Sequence, residues 1–330
     1  SFLMNEKPLP FGGWLVNASN DLSENDEIDL HIAFPFKGIS RFKQMEGKKI
    51  NYYAFSPIET SQTSASNQIN LDKIIKKVNP DIVHIFGTEY AHSFAMVNLC
   101  NNICIKTIVS IQGLTSIYSR HYMANLPIKI QKRFTIRDLI KRENLIVQQK
   151  KFEKRGELEV ETIKRTKHVI GRTTWDKACT SQINPGATYH FCNETLREEF
   201  YKHMWGIDQC ERFSIFTSQA SYPIKGIHFV LEAMPLILKR FPQTKLYIAG
   251  QDITKADTIK QKIKLSSYAK YIKYLIKEYR LGDSVIFTGL LDEKQMCERY
   301  LKSNVFVCPS SIENSPNSLG EAMILGVPCV

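Results

Sequence analysis

Short apolar runs rich in β-branched residues alternate with stretches of helical periodicity along almost the whole chain. Helices are expected between the runs, the longest from about Ile128 to Arg165. Such alternation favours parallel β-sheets with helices on both faces, an α/β fold. Ten runs predict β-strands: residues 29–34, 50–55, 81–86, 106–111, 168–171, 213–217, 245–249, 285–288, 305–308 and 327–330.

Ten strands are too many for one doubly wound sheet, so the pattern predicts two sheets in two domains. The alternation is interrupted around residues 201–212, where Trp205-Gly206 and several polar residues gather. We therefore expect one domain over residues 1–205 and a second over 206–330, a division that suits a chain of 330 residues. Ligands of open parallel sheets lie at the carboxyl ends of the strands, so we expect both domains to direct functional loops into a cleft.

The composition narrows the class of protein. Apolar residues make up 43% of the chain, which excludes a disordered or fibrous protein. No apolar run approaches the ~18 residues of a membrane-spanning helix, and no signal peptide is recognisable. The eight cysteines form no C-x-x-C pair. Free thiols of a cytoplasmic protein are therefore the simplest interpretation.

The net charge of +11 is concentrated in one segment. Between Arg120 and Arg155 there are eleven Lys or Arg residues and three acidic residues. Apolar residues recur there at spacings of three and four, as in Ile136, Leu139 and Ile140. This pattern predicts a basic amphipathic helix on an anionic membrane surface; the alternative is a core-packed helix with a solvated charged face. The segment lacks the interleaved aromatics of a nucleic-acid platform, so no nucleic-acid partner is expected.

The segment 305–330 carries the most informative chemistry. It predicts a buried strand, a polar loop, a helix that begins near Ser318, and Gly-Val-Pro before another strand. Asn317 or Ser318 is expected to cap the helix, whose free N–H groups would then suit a phosphate or diphosphate. Glu313 on the loop and Glu321 in the first turn could bind a sugar and a diol. Alternatively, Glu313 is simply solvated and Glu321 is an ordinary first-turn glutamate favoured by the helix dipole.

Two glutamates with seven residues between them, followed by Ala-Met-x-x-Gly-Val-Pro, resemble the E-x7-E signature of family 4 glycosyltransferases. Those are retaining enzymes of the GT-B fold, in which two Rossmann-like domains face each other across a cleft. The resemblance extends through most of the chain. Its further motifs are Gly12-Gly13-Trp14, Pro80-Asp-Ile-Val-His84, Lys225-Gly226 with Glu232-Ala233, and Leu246-Tyr-Ile-Ala-Gly250.

The resemblance implies a role for each matching residue. Glu321 would bind the ribose of a nucleotide-diphosphate sugar. Glu313 and Lys225 would act at the reacting carbon and at the diphosphate, and would be the catalytic residues. Gln112 and His121 would lie on the acceptor side. The remaining donor-binding residues would be Gly12, Gly13, Asn314, Ser315, Pro316, Asn317 and Ser318.

Three departures from the family pattern leave roles unassigned. The family usually has an arginine shortly before the Lys-Gly pair, and residues 218–222 contain none. Gln112-Gly113 stands where a histidine is common, and Glu313-Asn-Ser-Pro replaces the usual E-G-F-G. No acidic or histidine cluster has metal-ligand spacing, so no metal and no cofactor are expected.

The sequence thus favours a metal-independent, hexosyltransferase-type retaining glycosyltransferase. The resemblance suggests a saccharide or lipid-linked acceptor in surface-polysaccharide or lipopolysaccharide assembly, and a cytoplasmic protein peripheral to the inner face of the membrane. Two alternatives remain open: a non-catalytic nucleotide-sugar-binding subunit, and another GT-B enzyme such as a nucleotide-sugar epimerase. Because Val330 falls within a predicted strand, we also expect the chain to be part of a longer protein.

Overall fold

The structure, a computed structural model, describes residues 13–39, 42–58, 65–219 and 221–330. The strands within these ranges are β1 (Leu30–Pro35), β2 (Lys43–Glu46), β3 (Ile50–Phe55), β4 (Ile82–Phe86), β5 (Lys106–Ser110), β6 (His168–Gly171), β7 (Thr188–Phe191), β8 (Glu211–Thr217), β9 (Lys245–Ile248), β10 (Val285–Phe287) and β11 (Ser303–Phe306).

The α-helices of the same ranges separate most of these strands. They are α1 (Gly13–Ser23), α2 (Ala65–Val78), α3 (Ala91–Asn102), α4 (Thr115–Tyr118), α5 (Ile128–Gln131), α6 (Ile136–Lys141), α7 (Leu145–Lys164), α8 (Thr174–Ile183), α9 (Ile227–Arg240), α10 (Ile259–Lys264), α11 (Ser267–Glu278), α12 (Glu293–Leu301) and α13 (Asn317–Ile324). Short 3₁₀ turns cover Ser119–His121, Glu198–Tyr201 and Pro223–Lys225.

The strands form three sheets in the described part of the chain. Their orders are β1-β3-β2, β4-β5-β6-β7 and β10-β9-β8-β11. Every pairing is parallel except that of β2 with β3. The predicted α/β architecture with parallel sheets is therefore confirmed, but the prediction of two sheets is wrong, because the strands of the first half form two separate sheets. Nine of the ten predicted strands coincide with observed strands or differ from them by one or two residues.

Two strands were not anticipated and one expected strand is reduced. β2 has the sequence KQME, a polar segment without an apolar run. It is an antiparallel edge strand whose two end residues are exposed. β7 is an edge strand with mostly exposed positions. The strand expected over residues 327–330 is present only as a parallel bridge between Phe306 and Cys329.

The long helix expected from Ile128 to Arg165 is wrong, because the chain breaks it into α5, α6 and α7. Thr135 and Asp138 form a capping box that starts α6, and Arg142 ends it with a left-handed backbone at φ 50°. The Asn144 side chain then accepts a 2.9 Å hydrogen bond from the Val147 N–H and starts α7. Each break is thus made by a polar residue that competes for helix backbone groups.

The described residues form two compact units. Each unit combines separate stretches of the chain, so the units are not divided by one boundary at 205/206. One unit contains residues 120–151 and 196–330, and the other contains 15–119 and 152–195. The segment 120–151 packs with the later sheet because buried His228 on α9 hydrogen-bonds the Ala124 carbonyl at 2.8 Å. Trp205 also belongs to this unit, since its indole N–H donates to the Ser303 carbonyl at 2.8 Å.

An aromatic cluster forms the core beneath the sheet β10-β9-β8-β11. Phe216 on β8, Tyr300 on α12 and Phe306 on β11 are fully buried and in mutual contact, with ring centroids 4.9–5.9 Å apart. The Tyr300 hydroxyl donates to the Ser318 carbonyl at 2.8 Å. The core therefore supports the first turn of α13 directly.

Candidate functional site

The carboxyl ends of β8 and β11 lie side by side because the two strands are parallel neighbours. The Val307 N–H extends the pairing with a 2.8 Å bond to the Phe216 carbonyl. The chain leaves β8 into the 3₁₀ turn Pro223–Lys225, and it leaves β11 into a polar loop that ends at α13. Two loops that are far apart in sequence therefore meet at one edge of the sheet.

Gly226 allows these two loops to touch. Its φ of 70° is left-handed, and a Cβ built on it would lie 1.8 Å from the Pro309 carbonyl oxygen. The Ser311 N–H donates to the Ile224 carbonyl at 2.9 Å and fastens the same contact. A side chain at position 226 would force the loops apart, so the Lys-Gly pair is explained by close backbone approach.

Lys225 and Glu313 form an ion pair between the two loops. The Lys225 ammonium donates to Glu313 Oε1 at 2.5 Å across 88 residues of sequence, and about a fifth of each side chain is exposed. Burial acts to lower the pKa of Lys225, but Tyr222 and Glu313 raise it more strongly. The pKa of the ammonium therefore lies above its usual value, and the charge is kept at neutral pH.

A small polar pocket of about 30 Å³ surrounds this ion pair. Among its lining residues, Lys225 carries the positive charge and Glu313 the negative charge. Apart from Pro309, the other lining side chains carry hydroxyls, an amide and a thiol, which can form hydrogen bonds with a polar ligand. The lining residues are Thr217, Ser218, Gln219, Lys225, Cys308, Pro309, Ser310, Glu313 and Ser318.

The loop from Glu313 to α13 is built differently from the expectation that Asn317 or Ser318 caps the helix. Asn317 is the first helical residue, and Pro316 occupies the N-cap position. The Pro316 side chain makes no capping hydrogen bond. Asn314 is buried, and Ser315 has a left-handed φ of 53°. The capping prediction is wrong because proline, fixed near φ −65°, precedes the helix and has no side-chain acceptor. Ser318 nevertheless reaches the pocket.

Glu321 lies in the first turns of α13 and is buried, with 6% of its side chain exposed. The Arg197 guanidinium donates two hydrogen bonds to the Glu321 carboxylate, from Nε to Oε1 at 2.7 Å and from Nη2 to Oε2 at 2.8 Å. Burial raises the pKa of Glu321, and the Arg197 guanidinium opposes that rise. The interpretation of Glu321 as an ordinary first-turn glutamate favoured by the helix dipole does not explain its burial or its pairing with Arg197.

Arg197 is the residue that sequence reasoning missed. It precedes the 3₁₀ turn Glu198–Tyr201, and its guanidinium also lies 4.7 Å from the Phe200 ring centroid. A separation of 124 residues from Glu321 leaves no spacing signal in the sequence. The sequence offers one weak signal: Arg197 has no assigned role and lies close to the predicted domain boundary.

Of the remaining predicted site residues, His121 contacts the polar loop, because its main-chain carbonyl accepts from Ser311 Oγ at 3.4 Å. Gln112 follows β5, and its main-chain carbonyl accepts from Arg172 at 3.0 Å; His121 ends a 3₁₀ turn and is exposed. Gln112 and His121 belong to different units. Gly13 is the first residue of α1, and Gly12 lies outside the described residues. The acceptor-side roles of Gln112 and His121, and the phosphate contacts of both glycines, stay predictions.

Two kinds of feature are absent from the described ranges. No group of three or more His, Cys, Asp or Glu side chains is arranged there to hold a metal ion. No helix within the same ranges has the length and apolar character needed to cross a bilayer.

Comparison with known proteins covers both sequence and fold. Residues 198–330 match the model of the family "Glycosyl transferases group 1". The Bacillus subtilis (strain 168) protein "Putative glycosyltransferase YtcC" is 32% identical over 132 residues, which are 39% of this chain and 30% of that protein. The match thus spans less than a third of the relative.

Solved structures resemble the chain over nearly its full length. Sucrose-phosphate synthase from Thermosynechococcus elongatus aligns with a TM-score of 0.62 at 16% identity, over 96% of this chain and 72% of that one. "Trehalose-6-phosphate from E. coli bound with UDP-2-fluoro glucose" aligns with a TM-score of 0.60 at 10% identity, over 97% and 80%. These likenesses show the fold, which is GT-B. The chain therefore has the GT-B fold, and its residues 198–330 are similar to the glycosyl transferases group 1 family.

Proposed function

We propose that this chain is a retaining glycosyltransferase that moves a sugar from a nucleotide-diphosphate sugar to an acceptor hydroxyl. One observation carries the proposal: Lys225 and Glu313 meet at the shared carboxyl edge of β8 and β11, beside the start of α13. An ammonium group and helix-start amides together suit a diphosphate. Transfer from such a donor depends mainly on stabilising charge as the diphosphate leaves.

Lys225 can serve the diphosphate without leaving Glu313. An ammonium group has three N–H donors, and one of them is used by the Glu313 carboxylate. The other two N–H groups are of the type that can donate to phosphate oxygens. In this proposal Glu313 faces the donor sugar where positive character would develop, so its negative charge would favour breaking of the bond to the diphosphate.

Each carboxylate oxygen of Glu321 can accept a further hydrogen bond in addition to the one from Arg197. A carboxylate has about four lone-pair sites, and Arg197 uses one on each oxygen. The sites that remain suit the two vicinal hydroxyls of a ribose. In this proposal Arg197 does not replace the family's diphosphate-binding arginine, because its charge is already committed to Glu321.

Retention fits a front-face displacement. The acceptor hydroxyl would attack from the side that the diphosphate leaves, and its proton would pass to the departing phosphate oxygen. No protein nucleophile and no metal is part of this proposal. A hexose as the transferred sugar and a saccharide or lipid-linked acceptor of surface-polysaccharide or lipopolysaccharide assembly remain expectations from the family resemblance. Gln112 and His121 stay its proposed acceptor-side residues.

The membrane is the second proposed partner. The cations between Arg120 and Arg155 would hold the protein at an anionic bilayer surface, where a lipid-linked acceptor is found. This segment retains its excess of positive charge in the folded chain, because most of its Lys and Arg side chains are exposed.

A panel of nucleotide-sugars tests the enzymatic proposal. We expect one donor to be turned over with the anomeric configuration kept, as read by NMR of the product. Lys225→Met should lower turnover by about 100- to 1,000-fold, the usual effect of removing one group that stabilises leaving charge. Lys239→Met, at the far end of α9, removes an exposed charge outside the pocket and should leave turnover unchanged.

Two results would overturn the proposal. Nucleotide-sugar affinity without turnover of any donor would make the chain a binding subunit. Equal turnover by the wild type and Lys225→Met would remove the pocket from the reaction.

A further inference from the structure

Helix α6 presents its apolar stripe to solvent. Ile136, Leu139 and Ile140 stand at the spacing of one helix face and are 54%, 66% and 73% exposed. Asp138 of the same helix is buried and is held by the Thr135 N–H at 2.9 Å. A surface helix normally buries its apolar stripe and exposes its charges. In α6, by contrast, the apolar stripe is exposed and the acidic residue is buried, and exposed apolar patches mark interaction surfaces.

The neighbouring elements extend this surface. Ile128 at the start of α5 and Phe134 before α6 are 67% and 58% exposed, and Ile259 at the start of α10 is 76% exposed. α-Carbons of α6 and α10 come within 8 Å of each other. α5 packs against α11, the helix that follows α10 in the chain, and a 2.9 Å hydrogen bond from Ser267 Oγ of α11 to the Ile130 carbonyl fixes that contact. We call these six apolar side chains and the cations around them the α5–α6–α10 face.

Positive charge surrounds the apolar side chains of the α5–α6–α10 face. Over residues 128–142 and 258–264 there are nine Lys or Arg residues and a single acidic one, the buried Asp138. Eight of the nine cations are exposed: Lys129, Lys132, Arg133, Lys141, Arg142, Lys260, Lys262 and Lys264. Apolar side chains among exposed cations match the boundary between acyl chains and anionic head groups.

We infer that the α5–α6–α10 face docks the protein on an anionic phospholipid bilayer, with its apolar side chains inserted between the head groups. This deepens the proposed membrane association and changes where it occurs. The contact is made by three short helices and not by one long amphipathic helix. It also belongs to the unit that carries Lys225 and Glu313, so the donor pocket would be held at the membrane.

Other occupants fit the α5–α6–α10 face less well. A second copy of the chain would bring the same eight cations against each other in a symmetric contact, which is unfavourable. A nucleic acid would neutralise the cations but would leave the aliphatic side chains without apolar partners. An anionic bilayer satisfies both kinds of group at once.

Vesicle flotation of the full chain tests the inference without any substrate. We expect binding to phosphatidylcholine vesicles that contain phosphatidylglycerol, and little binding to phosphatidylcholine alone. Lys132→Glu with Arg133→Glu should weaken binding by about thirtyfold or more, since each cation near an anionic surface contributes about fivefold. Leu139→Gln with Ile140→Gln should weaken it by about tenfold or more. Both pairs are exposed, so the fold should be kept.

Two further variants locate the contact. Ile259→Gln should also weaken vesicle binding, because α10 belongs to the proposed face. Leu236→Gln on α9 is the matched control: Leu236 is 75% exposed but lies on a different helix, and binding should be unchanged. Circular dichroism should be the same for all variants.

Several outcomes would overturn the inference. Equal flotation with both vesicle types would exclude an anionic surface, and full binding by the Leu139/Ile140 variant or by Ile259→Gln would exclude this face. A concentration-dependent dimer abolished by Leu139→Gln, without vesicle binding, would assign the face to a second copy. Turnover of a nucleotide-sugar with a soluble acceptor is measured separately, so a failed flotation leaves the proposed enzymatic function standing.

Discussion

Arg197 and Glu321 form a two-point ion pair that is almost closed to solvent, with hydrogen bonds of 2.7 and 2.8 Å. The side chains are 15% and 6% exposed. Removing either partner leaves the other charge buried without compensation, which is far more costly than losing an exposed salt bridge. The pair therefore has a structural role in the unliganded protein as well as its proposed role at the donor.

Replacement of Arg197 tests both roles. Arg197→Met should lower the free energy of unfolding by about 3–5 kcal/mol, because Glu321 is left buried and unpaired. Nucleotide-sugar affinity should fall as well, by about tenfold or more, since the carboxylate is no longer oriented. Arg197→Lys keeps the charge but loses the two-point grip and should be intermediate. Urea unfolding and isothermal titration calorimetry measure the two effects.

Arg299→Met is the control for Arg197→Met. Arg299 also makes a two-point contact, with Glu211, but it lies away from the pocket and its partner is 44% exposed. Arg299→Met should lower the free energy of unfolding modestly and leave the affinity for the nucleotide-sugar unchanged. Loss of donor affinity in both variants would mean that general destabilisation, and not the orientation of Glu321, is responsible.

The two glutamates of the E-x7-E motif should respond differently to replacement. Glu313→Gln keeps shape and hydrogen-bonding capacity but removes the charge beside the reacting carbon. It should lower single-turnover rates more than donor affinity. Glu321→Gln should instead weaken donor binding by about ten- to a hundredfold and also lower stability, because Arg197 loses its counter-charge. A wild-type rate for Glu313→Gln together with normal donor binding by Glu321→Gln would contradict the assignment.

Gly226→Ala should be among the more damaging small substitutions in the chain. It combines a left-handed φ of 70° with a Cβ 1.8 Å from the Pro309 carbonyl oxygen. Gly326→Ala is the matched control, because Gly326 has a φ of 81° and open space around its Cβ position. The control should lose about 1–2 kcal/mol of unfolding free energy from backbone strain alone. Gly226→Ala should lose clearly more and should also lose turnover; equal losses would show that the Pro309 contact is unimportant.

His228 should make stability depend on pH below neutrality. Burial lowers its pKa, outweighing the Ala124 carbonyl and Glu232, which raise it. In the unfolded chain His228 binds a proton near pH 6.5, whereas in the folded chain it does so only at lower pH. Its contribution to stability is therefore present above about pH 6.5 and is lost as the pH falls toward the folded-state pKa.

The measurement is the free energy of unfolding between pH 7 and pH 5, for the wild type and His228→Gln. Glutamine can still donate to the Ala124 carbonyl but does not titrate in this range. The wild type should show the steeper fall with decreasing pH, by at most about 1.4 kcal/mol per pH unit. Identical slopes would mean that His228 is not the titrating group.

The sequence predicted those features that local pattern determines. Strand positions such as β3 and β6 followed from short β-branched runs, and the parallel topology followed from their alternation with helices. The meeting of Lys225 with Glu313 could be expected from motif residues that follow two parallel strands. The neighbouring arrangement of β8 and β11 then brings them together.

The features that escaped prediction depend on partners distant in sequence or on backbone conformation. No local pattern connects Arg197 with Glu321. The break between α5 and α6 depends on a capping box, whose Thr and Asp also occur in ordinary loops. The apolar spacing of Ile136, Leu139 and Ile140 predicts a helix, and the structure has one there. Spacing alone does not determine whether the apolar side of the helix faces the core or the solvent.

The sheet order β10-β9-β8-β11 has a consequence for the way the protein acquires its pocket during folding. The first strand of this sheet in the chain pairs with the last, so the contact closes a loop of about ninety residues. Closing such a loop costs conformational entropy, which the pairing of β8 with β11 has to offset. A nascent chain that has released β8, β9 and β10 but not yet β11 holds Lys225 without Glu313. The pocket is therefore complete only when β11 has paired with β8.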